Sequence, residues 1–84
     1  MDMKKWNFLE RAASIKNRAL YIENKEYTED VDQKWVSIEY NVEDTDSETI
    51  DASYREGVTS EEELEEQIKE MKKEFRDCEI IENY

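Results

Sequence analysis

The stretch that decides the fold is KWVSIEYNVE, residues 34–43, in which apolar and polar side chains alternate from Val36 onward. Successive side chains of a β-strand point to opposite faces, so a period of two predicts a strand with one buried face. The buried face would hold Val36, Ile38, Tyr40 and Val42, and the opposite face Ser37, Glu39 and Asn41. Trp35 falls on the polar face, where it would be an exposed aromatic anchor.

The residues after this strand predict a hairpin. Asp44-Thr45-Asp46-Ser47 is rich in side chains that bond their own backbone, which is typical of a turn. A second strand from Glu48 to Arg55 would follow, antiparallel to the first. Its inward side chains would be Ile50, Ala52 and Tyr54, and its outward ones Thr49, Asp51 and Ser53.

Upstream of the strand, residues 4–21 predict an amphipathic helix. Apolar residues recur there at helical spacing, namely Phe8, Ala12, Ile15, Ala19 and Ile22. The end of this helix stays open, because residues 20–22 could already be extended. Residues 23–33 read as a polar loop, with a short edge strand at Tyr27 as an alternative.

Downstream, Ser60 and Glu63 form a capping-box pattern that predicts the start of a second helix. Its apolar stripe would be Leu64, Ile68, Met71, Phe75 and Cys78. The last residues, 79–84, predict a short third strand.

The fold class is therefore α+β, a single domain over residues 1–84 in the order α-β-β-α-β. Two helices would pack on one face of a three-stranded, mainly antiparallel sheet and leave its other face open to water.

The composition excludes most catalytic and metal chemistry. The chain has no histidine, one cysteine (Cys78) and one glycine (Gly57), so it cannot form zinc sites of the usual Cys/His kind, histidine-based triads or phosphate-binding loops. Residues 44–48 offer oxygens at alternating positions, but an EF-hand needs glycine and glutamate where Thr49 and Arg55 stand. We therefore expect no enzyme, no metal and no cofactor. Cys78 reads as a small buried hydrophobe.

The net charge of −12 is the main functional signal, and it is unevenly distributed. Residues 1–22 carry five basic and two acidic side chains. Residues 23–56 carry three basic and twelve acidic side chains, and residues 57–84 carry four basic and ten acidic ones. An acidic surface repels nucleic acid and anionic membrane and attracts basic proteins. No apolar stretch approaches membrane-spanning length and no secretory signal is evident, so we expect a cytoplasmic protein.

The candidate partner-binding residues come from the most acidic segment. Alternate carboxylates on an extended strand repeat at roughly 6.8 Å, a density similar to that of phosphates along nucleic acid. The predicted surface comprises Glu26, Glu29, Asp30, Asp32, Trp35, Glu39, Glu43, Asp44, Asp46, Glu48 and Asp51.

This surface predicts a small acidic inhibitor that covers the nucleic-acid-binding surface of a basic protein by phosphate mimicry. The partner would be a nuclease, CRISPR effector, restriction enzyme or repair enzyme, with no direct contact to nucleic acid. In size and charge the chain resembles the compact anti-defence inhibitors of phages and mobile elements, such as anti-CRISPR and anti-restriction proteins, which act in the host cytoplasm.

Two alternatives stay open. The charge could be a solvated face that keeps a small protein soluble, or the chain could be an interaction module, such as an immunity protein or regulatory subunit, that binds through a mixed apolar patch. The sequence does not set the oligomeric state.

Overall fold

A computed structural model describes residues 3–84, which form two helices and one four-stranded sheet. The elements are α1 (Met3–Ala13), β1 (Arg18–Glu29), β2 (Lys34–Asp44), β3 (Thr49–Val58), α2 (Glu61–Glu74) and β4 (Glu79–Asn83). The α+β class with two helices is confirmed. The element order is α-β-β-β-α-β, so the prediction of three strands was wrong by one.

The sheet is mixed, with the strand order β3-β2-β1-β4. The pairs β1–β2 and β2–β3 are antiparallel, whereas β4 lies parallel to β1. A parallel neighbour requires a crossover connection, and α2 supplies it between β3 and β4. The first and last strands of the chain are thus joined side by side.

The additional strand, β1, lies where the sequence predicted the end of a helix and a polar loop. α1 ends at Ala13, and β1 runs from Arg18 to Glu29. Apolar residues at 20 and 22 alternate with Tyr21 and Glu23, so this stretch satisfies both the helical period and the period of two. Pairing with β2 along nearly the whole strand decides in favour of the strand. The connection to β2 is only residues 30–33.

The core lies between the sheet and the two helices. Its fully buried side chains come from both layers, with Tyr40 and Phe75 the largest. Phe8 of α1 joins them, its ring centroid lying 6.4 Å from that of Tyr40 and 6.1 Å from that of Phe75. The predicted inward faces of β2 and α2 are confirmed by burial of Val36, Ile38, Tyr40, Val42, Leu64, Ile68, Met71 and Phe75.

The predicted start of α2 is also confirmed. Ser60 is the N-cap, and its hydroxyl accepts a hydrogen bond from the backbone N–H of Glu63 at 3.1 Å. The Glu63 carboxylate accepts in return from Thr59. Beyond the helix, Cys78 is half-buried, its Sγ donates to the carbonyl of Phe75, and burial raises the pKa of its thiol.

One side chain of β3 points the other way from its prediction. Ile50 was expected to face inward, but it is 52% exposed. The register shifts between Val42 and Glu43, which leaves Asp51 as the extra residue and places Ile50 opposite Glu43. Such a bulge reverses the facing of the residues beyond it, because side chains alternate with a period of two.

Within residues 3–84, neither helix is both long and apolar enough to cross a membrane.

Candidate functional site: the open face of the sheet

The sheet face turned away from the helices carries the polar side chains of all four strands. On β2 these residues alternate with the buried ones, and the strand register identifies their neighbours. We call this surface the open face. It consists of Ala19, Tyr21, Glu23, Glu26 and Thr28 of β1, Trp35, Ser37, Glu39, Asn41 and Glu43 of β2, Ile50, Ser53, Arg55 and Gly57 of β3, and Glu79, Ile81 and Asn83 of β4. Of these, Ala19 alone is buried.

The open face is strongly acidic. Its ionisable carboxylates are Glu23, Glu26, Glu39, Glu43 and Glu79, and within residues 3–84 its one cationic side chain is Arg55. The other cations that form ion pairs lie on the helix side of the sheet or at the β1–β2 hairpin tip, as in the pairs Lys5–Glu56, Lys72–Glu82 and Lys34–Glu29. Most of the cations that form ion pairs therefore lie off the open face.

Hydrogen bonds hold the carboxylates of the open face in place. Asn41 donates to Glu23 at 2.7 Å and accepts from Ser53 at 2.6 Å, which links β1, β2 and β3. Tyr21 donates to Glu43 at 3.2 Å, and this bond to a carboxylate raises the pKa of the tyrosine. Side chains fixed in this way present their charges in a defined pattern rather than as a mobile cloud.

Arg55 lies on the edge strand β3, and its side chain reaches across the open face but neutralises only part of it. Its Nη1 donates to the Ser37 hydroxyl and to the backbone carbonyl of Asn24, both at 3.0 Å. Its guanidinium also lies 3.8 Å from Glu26 and 4.0 Å from Glu39. The carboxylates at 23, 43 and 79 have no cation within 4.0 Å among the ion pairs of residues 3–84.

The structure divides the eleven predicted site residues into three groups along β2. The middle group, Glu26, Glu39 and Glu43, lies on the open face. The residues Glu29, Asp30, Asp32 and Trp35 lie at the β1–β2 hairpin tip, and Asp44, Asp46, Glu48 and Asp51 at the β2–β3 turn. The ends of β2 are separated by about 34 Å, the length of ten residues in extended conformation. The predicted residues thus follow β2 over its whole length, but the register places Glu29 and Asp44 on the helix side of the sheet, opposite Lys34 and Arg18.

At the turn, three of the four predicted carboxylates also have structural roles. Asp44 accepts from the backbone N–H of Asp46 at 3.0 Å, and Asp46 accepts from the amide of Asn17 at 2.9 Å. Asp51 is half-buried in the bulge and accepts from Thr49. Glu48 is exposed and has a left-handed backbone, with φ of 57°. Among the described residues, Glu48 is therefore the one of these four whose carboxylate does not help to hold the turn.

At the hairpin tip, exposed apolar side chains lie among the acids. Tyr27, Val31 and Trp35 are 69%, 96% and 48% exposed. Asp30 pairs with Gln33 through backbone hydrogen bonds that close the loop. Glu29 forms an ion pair with Lys34 at 3.1 Å, and both side chains are largely exposed. Trp35 is thus exposed near carboxylates, as the sequence predicted.

Two carboxylates of the open face, Glu23 and Glu79, were not among the predicted site residues. Glu23 was assigned to a loop, and Glu79 was placed in a strand whose facing was not predicted. The signal for Glu23 was the alternation of Leu20 and Ile22 with Tyr21 and Glu23, which the overlapping helical spacing obscured.

Within the described part of the chain, no three aspartate, glutamate or cysteine side chains are grouped in a way that could hold a metal ion. Comparison with known proteins finds no match to a family model, to a curated protein or to a solved structure.

Proposed function

We propose that the protein is an inhibitor that covers the nucleic-acid-binding surface of a basic protein, using its open face and the two acidic ends of β2 in place of phosphates. The observation that carries the proposal is the strip of carboxylates on the open face, formed by Glu23, Glu26, Glu39, Glu43 and Glu79, with Arg55 as its one cation within residues 3–84. The partner class is a nuclease, CRISPR effector, restriction enzyme or repair enzyme. A host cytoplasm is the compartment that such partners require.

The dimensions of β2 support this proposal. Its length of about 34 Å corresponds to one helical turn of B-form DNA, roughly 34–36 Å. Along each strand of the sheet, same-face side chains repeat at about 6.8 Å, and neighbouring strands lie about 4.8 Å apart. A protein surface that contacts several successive phosphates could therefore meet several carboxylates at once.

The distribution of cations gives a second line of support. Lys5 and Lys72 join the helices to the sheet through ion pairs with Glu56 and Glu82. Arg18 joins β1 to the loop before β4 through an ion pair with Asp77. Redistribution of such residues to the open face would relieve its self-repulsion, which destabilises a compact state. A surface with an excess of negative charge steers a basic partner toward it.

The alternative of an interaction module with a mixed apolar patch is favoured by a separate observation. Trp35 and Ile50 of the open face are about half exposed, near opposite ends of β2. An interface centred on these side chains would bury them and depend little on ionic strength. Salt dependence therefore distinguishes the two functions.

The test begins with a partner captured from a host lysate and then purified. Between roughly 50 and roughly 200 mM salt, mimicry predicts that affinity falls by about tenfold or more and that DNA or RNA competes for the same surface. Indifference to salt together with no competition would favour the apolar module instead.

A matched pair of variants locates the surface. Glu26→Gln/Glu39→Gln/Glu43→Gln neutralises the open face, and Glu62→Gln/Glu65→Gln/Glu66→Gln removes the same charge from the exposed side of α2. We expect the first triple variant to weaken binding far more than the second. Equal losses would mean that the charge acts only as a diffuse field.

A further inference from the structure

Gly57, the one glycine of the chain, lies in β3 rather than in a turn, and it pairs with Ser37 of β2. Its backbone is not left-handed, so its conformation is open to other residues. Among the described residues outside its chain neighbours, a methyl group here would meet only the Cβ of Ser37, at 3.9 Å, which is ordinary van der Waals contact. Glycine weakens a strand, because it loses more conformational entropy on folding than any other residue. Neither the backbone nor the packing of β3 therefore requires a glycine at this position.

The missing side chain leaves a notch on the open face, at the outer edge of the sheet. Arg55 lies two residues before Gly57 on the same face, and Trp35 of β2 is its diagonal neighbour. Diagonal neighbours of an antiparallel pair lie about 7–8 Å apart, within reach of an aromatic side chain. Glu26 of β1 lies on the other side of Ser37. The notch therefore has main chain as its floor, with an aromatic side chain and a carboxylate near it.

Both of these side chains are accessible from solvent. Trp35 is 48% exposed, and the side chain of Glu26 is 67% exposed. Glu26 lies 3.8 Å from the guanidinium of Arg55, which is longer than a hydrogen bond. Arg55 donates instead to Ser37 and to the carbonyl of Asn24, which directs its guanidinium toward β1 and away from the outer edge of β3. A second cation could therefore approach the notch from that edge and bond to Glu26.

We propose that the notch at Gly57 is the seat of an arginine side chain of the basic partner, which lies over the glycine with its guanidinium stacked on Trp35 and bonded to Glu26. The inference rests on the proposed function and names the residue type that this end of the open face selects. A glycine within a strand often marks a place where another group approaches the backbone closely. Arginine suits the place because its planar guanidinium stacks on aromatic rings and binds a carboxylate through two parallel hydrogen bonds. The excess of carboxylates on the open face complements its charge.

The first test asks whether the fold itself needs the glycine. Gly57→Ala should unfold at the same urea concentration as the unsubstituted protein or at a higher one, because alanine restricts the unfolded chain and meets no obstacle in the fold. A lower urea midpoint would show that β3 requires glycine for its own structure, and it would overturn the inference.

The second test compares nona-arginine with nona-lysine, two probes of equal charge, by isothermal titration calorimetry. We expect nona-arginine to bind about threefold to tenfold more tightly, a ratio that corresponds to one cation–π contact. Gly57→Val fills the notch and should abolish this preference. Ser53→Thr is the matched control, because it adds one carbon to the same strand and face while keeping the hydroxyl that donates to Asn41. It should retain the preference.

A second pair of variants tests the aromatic side chain. Trp35→Leu should abolish the preference for nona-arginine, whereas Trp6→Leu, on α1 and equally exposed at 48%, should retain it. Retention of the preference by either Gly57→Val or Trp35→Leu would overturn the arginine seat and leave the acidic open face standing, as would equal affinity of the unsubstituted protein for both peptides. If Glu26→Gln/Glu39→Gln/Glu43→Gln left the affinity for both peptides unchanged, the proposed function itself would fail.

Discussion

Glu23 of β1 lies directly opposite Glu39 of β2 in the antiparallel ladder, so two like charges share one cross-strand site on the open face. Directly opposed side chains have Cβ atoms about 4.5–5.5 Å apart, and like charges in this position are destabilising. Asn41 donates to Glu23, and Arg55 lies 4.0 Å from Glu39, but neither contact removes the repulsion between the two carboxylates. The pair is thus a place where stability and the proposed function oppose each other.

Glu23→Gln should therefore stabilise the fold while weakening binding to a basic partner. The glutamine oxygen can still accept from Asn41, so the change removes charge and little else. We expect a gain of about 0.2–1 kcal/mol in the free energy of unfolding, measured by urea denaturation, and a smaller gain at high salt. Glu66→Gln, at an exposed position of α2, is the control and should change stability little. A loss of stability in Glu23→Gln would contradict this account of the pair.

The bulge in β1 gives a second prediction. Asn24 adopts a left-handed backbone with φ of 54°, which residues other than glycine, asparagine and aspartate rarely occupy. Its carbonyl accepts from Arg55, and its amide donates to Glu39. Asn24→Ala should destabilise the fold by about 1–2 kcal/mol, because it adds backbone strain to the loss of the amide.

Asn24→Gly is the matched control, since it loses the same amide but accepts the left-handed backbone without strain. We expect it to cost clearly less than Asn24→Ala in the same urea titration. Equal costs would assign the whole effect to the hydrogen bond with Glu39 and none to the backbone.

The sequence was sufficient for the elements in which one period dominates. β2 alternates from Val36 to Glu43, and α2 combines a helical stripe with the Ser60–Glu63 capping box, so both were predicted with the correct facing. β1 was missed because residues 19–22 fit two periods at once, and the choice depends on pairing with β2 and β4, which is a tertiary contact. The inversion of Ile50 was likewise not predictable, because the bulge at Asp51 has no signal of its own in the sequence.

The same limits apply to the candidate site. Alternation alone placed Glu39 and Glu43 on an exposed face. The convergence of Tyr27 with Lys25 and Glu61 required the docking of α2 against the hairpin, which joins residues 36 positions apart. Local patterns predict which way a side chain faces, but they do not predict what lies beside it across the fold.

The ion pair between β4 and α2 yields a prediction for pH. Glu82 accepts a short hydrogen bond from Lys72, and this bond lowers the pKa of the carboxyl below its ordinary value of 4.5. A depressed pKa in the folded state means that the pair stabilises the fold at neutral pH and that this contribution is lost as the pH falls below about 4.5. In an NMR titration, the Glu82 carboxyl should therefore titrate below the ordinary range, and Lys72→Met should raise its pKa toward that range, with the hydrogen bond from the Tyr84 hydroxyl still lowering it in part. A normal titration of Glu82 in the unsubstituted protein would show that the pair does not form in solution.

The hydroxyl of Tyr40 gives a last prediction, for the core. This side chain is fully buried between sheet and helices, and its Oη has no hydrogen-bond partner within the described residues. A buried polar group without a partner costs about 1–3 kcal/mol, so Tyr40→Phe should leave packing intact and raise the free energy of unfolding by up to about 1 kcal/mol. Tyr40→Leu, which removes the ring, should instead destabilise the protein by several kcal/mol because it leaves a cavity.

The pH dependence of Tyr40→Phe provides an independent check. Burial, with a further contribution from the Glu56 carboxylate, raises the pKa of Tyr40 well above its ordinary value of 10.0. Because the unfolded chain ionises this tyrosine at a lower pH than the folded one, the protein should lose stability as the pH rises above about 10. Tyr40→Phe lacks this titration, so its advantage in unfolding free energy should grow with pH in that range. An advantage that stays constant from neutral to strongly alkaline pH would mean that Tyr40 ionises as readily in the folded protein as in the unfolded chain.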